Sequence, residues 1–291
     1  MKKINLLTGL LCVIFLGCNV IDLRPIGLRF TWFKNTPVWP LAKAVRDEDT
    51  AQIRFLVQQK HMDVNYQEKS KWGSTLLHLA VGNELVASTA ALLENGARTD
   101  IWDSLGNRPI NDAVMNNLTI SWHSKKLQIL ELLLKHGADP NGYKWYKYGD
   151  SSRYKIAWVP LQCGVENLDF TRILLKYGAR MDLKYYDKAN DFDSMPVYPA
   201  WQSVAINTAV TERNGIYVMK FLIMDLHLPV PDTLSFYGNN SRSIKDTKPN
   251  CLLELLNKTN FKDEEKQKAK EDILQYLKRI GFPERGALPF L

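Results

Sequence analysis

The chain has 291 residues, 45% of them apolar and 24% charged, which suits a folded protein with a sizeable core in one or two domains. Its 16 Gly and 13 Pro are too few for a disordered or collagen-like chain. The net charge of +7 is a mild surplus with no arginine-rich run, which argues against a nucleic-acid partner bound by neutralising many phosphates.

The first element is a leader. Lys2 and Lys3 form a basic start, and Ile4 to Leu16 is an apolar run broken only by Asn5, Thr8 and Gly9. The run is too short to span a bilayer and fits the apolar core of a signal peptide. Gly17 and Cys18 follow at once. Here the sequence resembles a bacterial lipoprotein signal, in which a small residue precedes the cysteine that is lipidated and becomes the new N-terminus. Phe15 and Leu16 depart from that pattern by being bulkier than usual. An ordinary signal peptide with a nearby cysteine, or an uncleaved helix, would carry the same apolar run. The resemblance implies a signal peptide at residues 1–17, a lipidated Cys18, a tether over 18–36 and a folded domain over 37–291. Asn19, where Asp would signal inner-membrane retention, implies the periplasmic face of an outer membrane.

Beyond the leader the chain repeats itself. One unit opens with Gly73-Ser74-Thr75-Leu76-Leu77-His78-Leu79-Ala80 and closes with Ala90-Ala91-Leu92-Leu93-Glu94-Asn95-Gly96-Ala97. The closing pattern returns from Ile129 through Leu134 to Gly137-Ala138-Asp139-Pro140-Asn141, and again from Arg172 to Gly178-Ala179. A Thr can cap the first helix, and a Pro in its first turn costs no hydrogen bond. Leucines three and four apart mark the buried stripe of the second helix. A Gly past its last turn takes the left-handed conformation that ends a helix. These letters resemble the ankyrin repeat. The resemblance covers roughly residues 37 to 281 and implies an all-α ankyrin-repeat solenoid of five to six helix pairs with long inter-repeat loops. First helices are expected from Pro40, Leu76, Pro109, Pro160, Pro199 and Cys251. Second helices are expected to end near Lys60, Gly96, Gly137, Gly178, Leu226 and Gly281. The charged stretch from Lys262 to Glu271 reads as the solvated face of a terminal repeat.

The distance from Gly96 to Pro109 suits an uninterrupted repeat. The stretches from Gly137 to Pro160, Gly178 to Pro199 and Leu226 to Cys251 are all longer. The three insertions fall at equivalent places, so a stack carries them on one side, where binding loops gather. The first holds Trp145, Tyr146, Tyr148, Arg153 and Tyr154; the second holds Tyr185 and Tyr186; the third holds Phe236, Tyr237 and Arg242. Tyr, Trp and Arg carry much of the binding energy in protein interfaces, so these are the candidate partner-binding residues. Local packing onto neighbouring repeats is the other use such aromatics can have. A further insertion, Asn116 to Lys125, lengthens the link inside the third unit, and its Trp122 and His123 read as packing.

No phosphate-binding glycine loop, nucleophile elbow or metal-helix motif is present, and no cofactor or catalytic residue is expected. Cys163 and Cys251 read as buried small hydrophobes. Asp191 and Asp193 are too weak a pair to stand as a calcium site. His78 sits where ankyrin histidines hold a loop by hydrogen bonds. A lipid-anchored periplasmic ankyrin stack resembles the immunity lipoproteins that guard bacteria against type VI secretion effectors, periplasm-acting lipases among them. That resemblance implies one protein partner, a secreted toxin or phospholipase, and a membrane contact through the lipid anchor. A periplasmic scaffold or chaperone for a resident enzyme is the alternative from another class.

Overall fold

A 3-10 turn at Phe30–Phe33 leads into the repeats. The structure is a computed structural model that describes residues 29–70, 72–114, 124–142, 144–148, 152–158, 160–161, 167–180, 184–185, 198–199, 215–228 and 252–282. Phe30 and Phe33 are each 1% exposed and belong to the core of the first repeats. Packing therefore begins ahead of residue 37, because two phenylalanines on one short turn have apolar surface to bury.

Helix pairs follow: α1 (Trp39–Arg46) with α2 (Thr50–Gln58), α3 (Leu76–Gly82) with α4 (Val86–Glu94), and α5 (Pro109–Val114) with α6 (Ser124–Lys135). Pro160 and Leu161 are helical and precede α7 (Leu168–Lys176). Helix α8 (Gly215–Lys220) runs into a π-helical turn at Phe221–Asp225, and α9 (Leu252–Lys258) pairs with α10 (Glu264–Arg279). First helices stack on first helices, α1 on α3 on α5, and second on second, α2 on α4 on α6 on α7. This is an all-α repeat solenoid, and among the described residues the short strands lie in the turns between repeats.

Each helix pair buries what its spacing predicts. In α3, Leu76 through Val81 are all buried, because a first helix is flanked by repeats on both sides. In α6 the buried set is Ile129, Leu130, Leu133 and Leu134, one stripe at helical spacing. One core cluster runs from Phe30 to Ala179 and a second from Ile216 to Leu277, and Leu175 of α7 packs against both. Side-chain caps start some of the helices: Asp49 accepts from Gln52 N at 2.9 Å, and Asp263 from Lys266 N at 3.0 Å.

Neighbouring repeats are also tied by hydrogen bonds. The Asn65 amide donates to the Gly96 carbonyl at 3.1 Å and accepts from Arg98 N at 2.8 Å. Asn141 makes the same two bonds two interfaces further on, to the Gly178 carbonyl at 3.0 Å and from Arg180 N at 2.7 Å. An Asn is suited to this place because one side chain supplies both a donor and an acceptor.

Gly96, Gly137 and Gly178 have φ of 88°, 84° and 90°. A Cβ on any of the three would meet nothing within 4 Å, so backbone strain alone makes glycine the residue required. Gly137→Val is expected to cost about 1–2 kcal/mol, since a β-branched residue is strained in this region. Thermal or urea unfolding checks it, and an unchanged midpoint would contradict the assignment. The first and fifth units, which lack the glycine, use His61 (φ 52°) and His227 (φ 51°) one residue later than the expected ends at Lys60 and Leu226. Their closing bonds are correspondingly wider. Met62 N donates to the Leu56 carbonyl and Leu228 N to the Leu222 carbonyl, both at 3.1 Å, where Ala97 N reaches back only to Leu92, at 2.9 Å.

Three expectations are corrected. Pro199 does not start a helix; it pairs with Lys184 in a two-residue strand, at whose end a missing N–H is tolerated. Lys125 is not part of the inter-helix link, because α6 already begins at Ser124. Lys270 is not solvated: it is 5% exposed and its Nζ donates to the Thr259 carbonyl at 2.9 Å. Ala269, Ile273 and Leu277 set the buried stripe of α10, and Lys270 lies beside it with its charge satisfied at the edge. Asn116 to His123, Cys163, Asp191, Asp193 and Cys251 lie outside the described residues.

Candidate binding fingers

The turn between two repeats is a finger, and His78 holds the first two in place. It is 2% exposed. Thr75 N donates to its Nδ1 at 3.2 Å, which leaves Nε2 as the ring donor, 3.3 Å from the Asn107 carbonyl in the next finger. Burial pushes its pKa below the ordinary value, while the Asp103 charge and the bond to Asn107 pull weakly the other way. Asn111 does the equivalent work one repeat later, accepting from Arg108 N at 2.8 Å and donating to the Gly142 carbonyl at 3.3 Å. The fingers also hold each other. The Gln67 amide donates to the carbonyls of Gly73 at 2.7 Å and Trp102 at 2.8 Å, and Ser104 N donates to Trp72 O at 2.7 Å.

The first insertion grows from this scaffold as a β-hairpin. Strand β1 (Lys144–Tyr148) pairs antiparallel with β2 (Ser152–Trp158), with Lys144 opposite Trp158, Tyr146 opposite Tyr154, Lys147 opposite Arg153 and Tyr148 opposite Ser152. The register shifts between Lys144 and Tyr146. The second insertion starts the same way: β3 (Lys184–Tyr185) pairs antiparallel with β4 (Tyr198–Pro199), and β3 runs beside β2. The backbone thus places Trp145, Tyr146, Tyr148, Arg153 and Tyr154 on one hairpin and Tyr185 on the strand next to it. Tyr186, Phe236, Tyr237, Arg242 and Cys18 lie outside the described residues.

Fingers nearer the N-terminus carry aromatic residues that the sequence reading passed over. Trp72 is 43% exposed, has φ of 68° and stacks on Trp32 with ring centroids 6.4 Å apart. Leu105 at the next tip is also 43% exposed. The Arg108 guanidinium lies 4.2 Å from the Trp102 ring centroid. The signal was present in the Trp72-Gly73 and Trp102-Asp103 pairs, which sit between a terminal glycine or histidine and the next helix start. Among the described residues no cluster of three or more His, Cys, Asp or Glu could hold a metal ion, and no helix is long and apolar enough to cross a membrane.

Regular helix pairs presenting a row of fingers define a protein-interaction repeat. Residues 41–144 match the family model for ankyrin repeats (3 copies), so this stretch consists of ankyrin repeats, a protein-binding module. Over 119 residues the chain is 32% identical to the human BCL-6 corepressor-like protein 1. That alignment takes in 41% of this chain and spans 6% of the length of that relative.

Proposed function

We propose that this protein is a periplasmic binding module, tethered to the outer membrane through a lipidated Cys18. Its role is that of an immunity protein that binds and inhibits a secreted antibacterial effector, such as a type VI lipase. One observation carries the binding side: the first insertion is built out as a β-hairpin, with the first strand of the second insertion beside it, on fingers already fixed by the repeats. Such a surface is pre-organised, which lowers the ordering cost of binding. The Lys-apolar-Gly-Cys order at the N-terminus supports the tether, and a tether keeps an inhibitor where a periplasmic toxin acts.

Two measurements test this reading. Co-expression with the product of the neighbouring gene should give a stable complex, and loss of this protein should leave cells open to killing by that product. A complex without any protection would favour the scaffold reading instead. Cys18→Ser is expected to release the protein from the membrane fraction. Mass spectrometry should find an acylated cysteine at the mature N-terminus; a soluble mature chain that starts elsewhere contradicts the anchor.

A further inference from the structure

The hairpin register places Lys147 directly opposite Arg153. Directly opposed residues of an antiparallel pair share one face of the ribbon, and like charges in that position destabilise it. The neighbouring pairs, Tyr146 with Tyr154 and Tyr148 with Ser152, share the other face. The ribbon therefore has a tyrosine face and a basic face. Between residues 144 and 158, Lys144, Lys147, Arg153 and Lys155 stand against Asp150 alone, so the hairpin sequence carries one carboxylate against four cations. A local conflict of this kind, in a fold whose other choices agree, is the mark of a functional position. An anion seated between the two cations would relieve it, and a guanidinium next to an ammonium suits a carboxylate.

We infer that this hairpin docks on a carboxylate-bearing patch of a protein partner, with a partner carboxylate bridging Lys147 and Arg153. The inference rests on the reading above that the finger side is the binding side. The source of the anion follows from the next insertion. Its sequence carries Asp182, Asp187, Asp191 and Asp193 against Lys184 and Lys188, and its first strand runs beside β2. A uniform polyanion, whether nucleic acid or an anionic bilayer, would meet like charge there. A protein surface can present acid to the first hairpin and base to the second, and such a pattern also sets the orientation of docking.

The test uses the full chain and three probes at low ionic strength: a labelled hexaglutamate peptide, a single-stranded DNA oligonucleotide and phosphatidylglycerol vesicles. Lys147→Glu turns the like-charge pair into an opposite-charge pair, so the melting temperature should hold or rise. Hexaglutamate binding should fall about fivefold or more, the scale of losing one interfacial charge contact and reversing its sign. Lys268→Glu makes the same charge change on the exposed face of α10 and should weaken binding less than about twofold, as expected of a remote surface charge. Equal affinity of Lys147→Glu and wild type overturns the inference, as does an equal loss in Lys268→Glu. Tighter, Lys147-dependent binding of the oligonucleotide or the vesicles overturns the choice of a protein carboxylate. A lowered melting temperature in Lys147→Glu would mean that Lys147 is already paired within the chain. If the neighbouring gene product binds Lys147→Glu as it binds the wild type, yet loses Trp145→Ala with Tyr148→Ala, the carboxylate reading fails while the binding side stands.

Discussion

His78→Ala is expected to destabilise the repeat stack by about 2–4 kcal/mol, combining lost hydrogen bonds and a cavity. The ring is buried between two fingers and serves both. It accepts from Thr75 N within its own capping box and faces the Asn107 carbonyl of the next repeat. Alanine leaves Asn107 O with the Asp103 N donor alone and removes one of the ties between the fingers. His78→Asn is expected to cost less, because Asn111 makes the equivalent two bonds one repeat later. Urea unfolding of the three proteins at neutral pH checks the order, and equal midpoints for His78→Ala and wild type would contradict it.

The same residue makes stability depend on pH. Burial lowers the folded pKa of His78 below its unfolded value of about 6.5. In the window between those two values the unfolded chain binds more protons, so stability rises with pH there. The contribution is complete above about 6.5 and is lost as pH falls toward the folded pKa. His78→Asn should remove that part of the slope. A wild-type midpoint that does not fall through this window would show that the ring accepts a proton in place.

The second large effect concerns binding. Trp145→Ala with Tyr148→Ala should weaken the complex with the neighbouring gene product by about 2 kcal/mol or more, roughly thirtyfold in Kd. Both residues lie in β1, on a hairpin beyond the Gly142 contact and outside the helix pairs. The melting curve should therefore change little. Loss of binding only together with unfolding would make these aromatics packing residues. Unchanged affinity in a folded double mutant would move the interface to the helix face of the stack or to the Trp32–Trp72 end.

The repeat was legible in the sequence because its signals are local. The terminal glycines Gly96, Gly137 and Gly178, the Thr75–His78 cap and the leucine stripes each depend on residues within a few positions, and short-range sterics and periodicity determine them. The place of the first two insertions was legible for the same reason, as a mismatch in spacing between those local marks. The histidines that stand in for glycine at 61 and 227 were not, because a non-glycine residue in the left-handed region carries no letter of its own and is held there by the bonds around it. Lys270 and Pro199 went the same way: one is buried because its helix turns the Ala269–Leu277 stripe inward, the other is a strand residue because Lys184 lies opposite. The pairing of Lys147 with Arg153 is local to one hairpin, yet its register is set by turn geometry and by the irregularity between Lys144 and Tyr146, which residue types alone do not spell out. The adjacency of fingers arises from residues far apart in the chain: only the tertiary structure could bring β3 to β2, since that contact is decided by how the repeats stack rather than by any one segment.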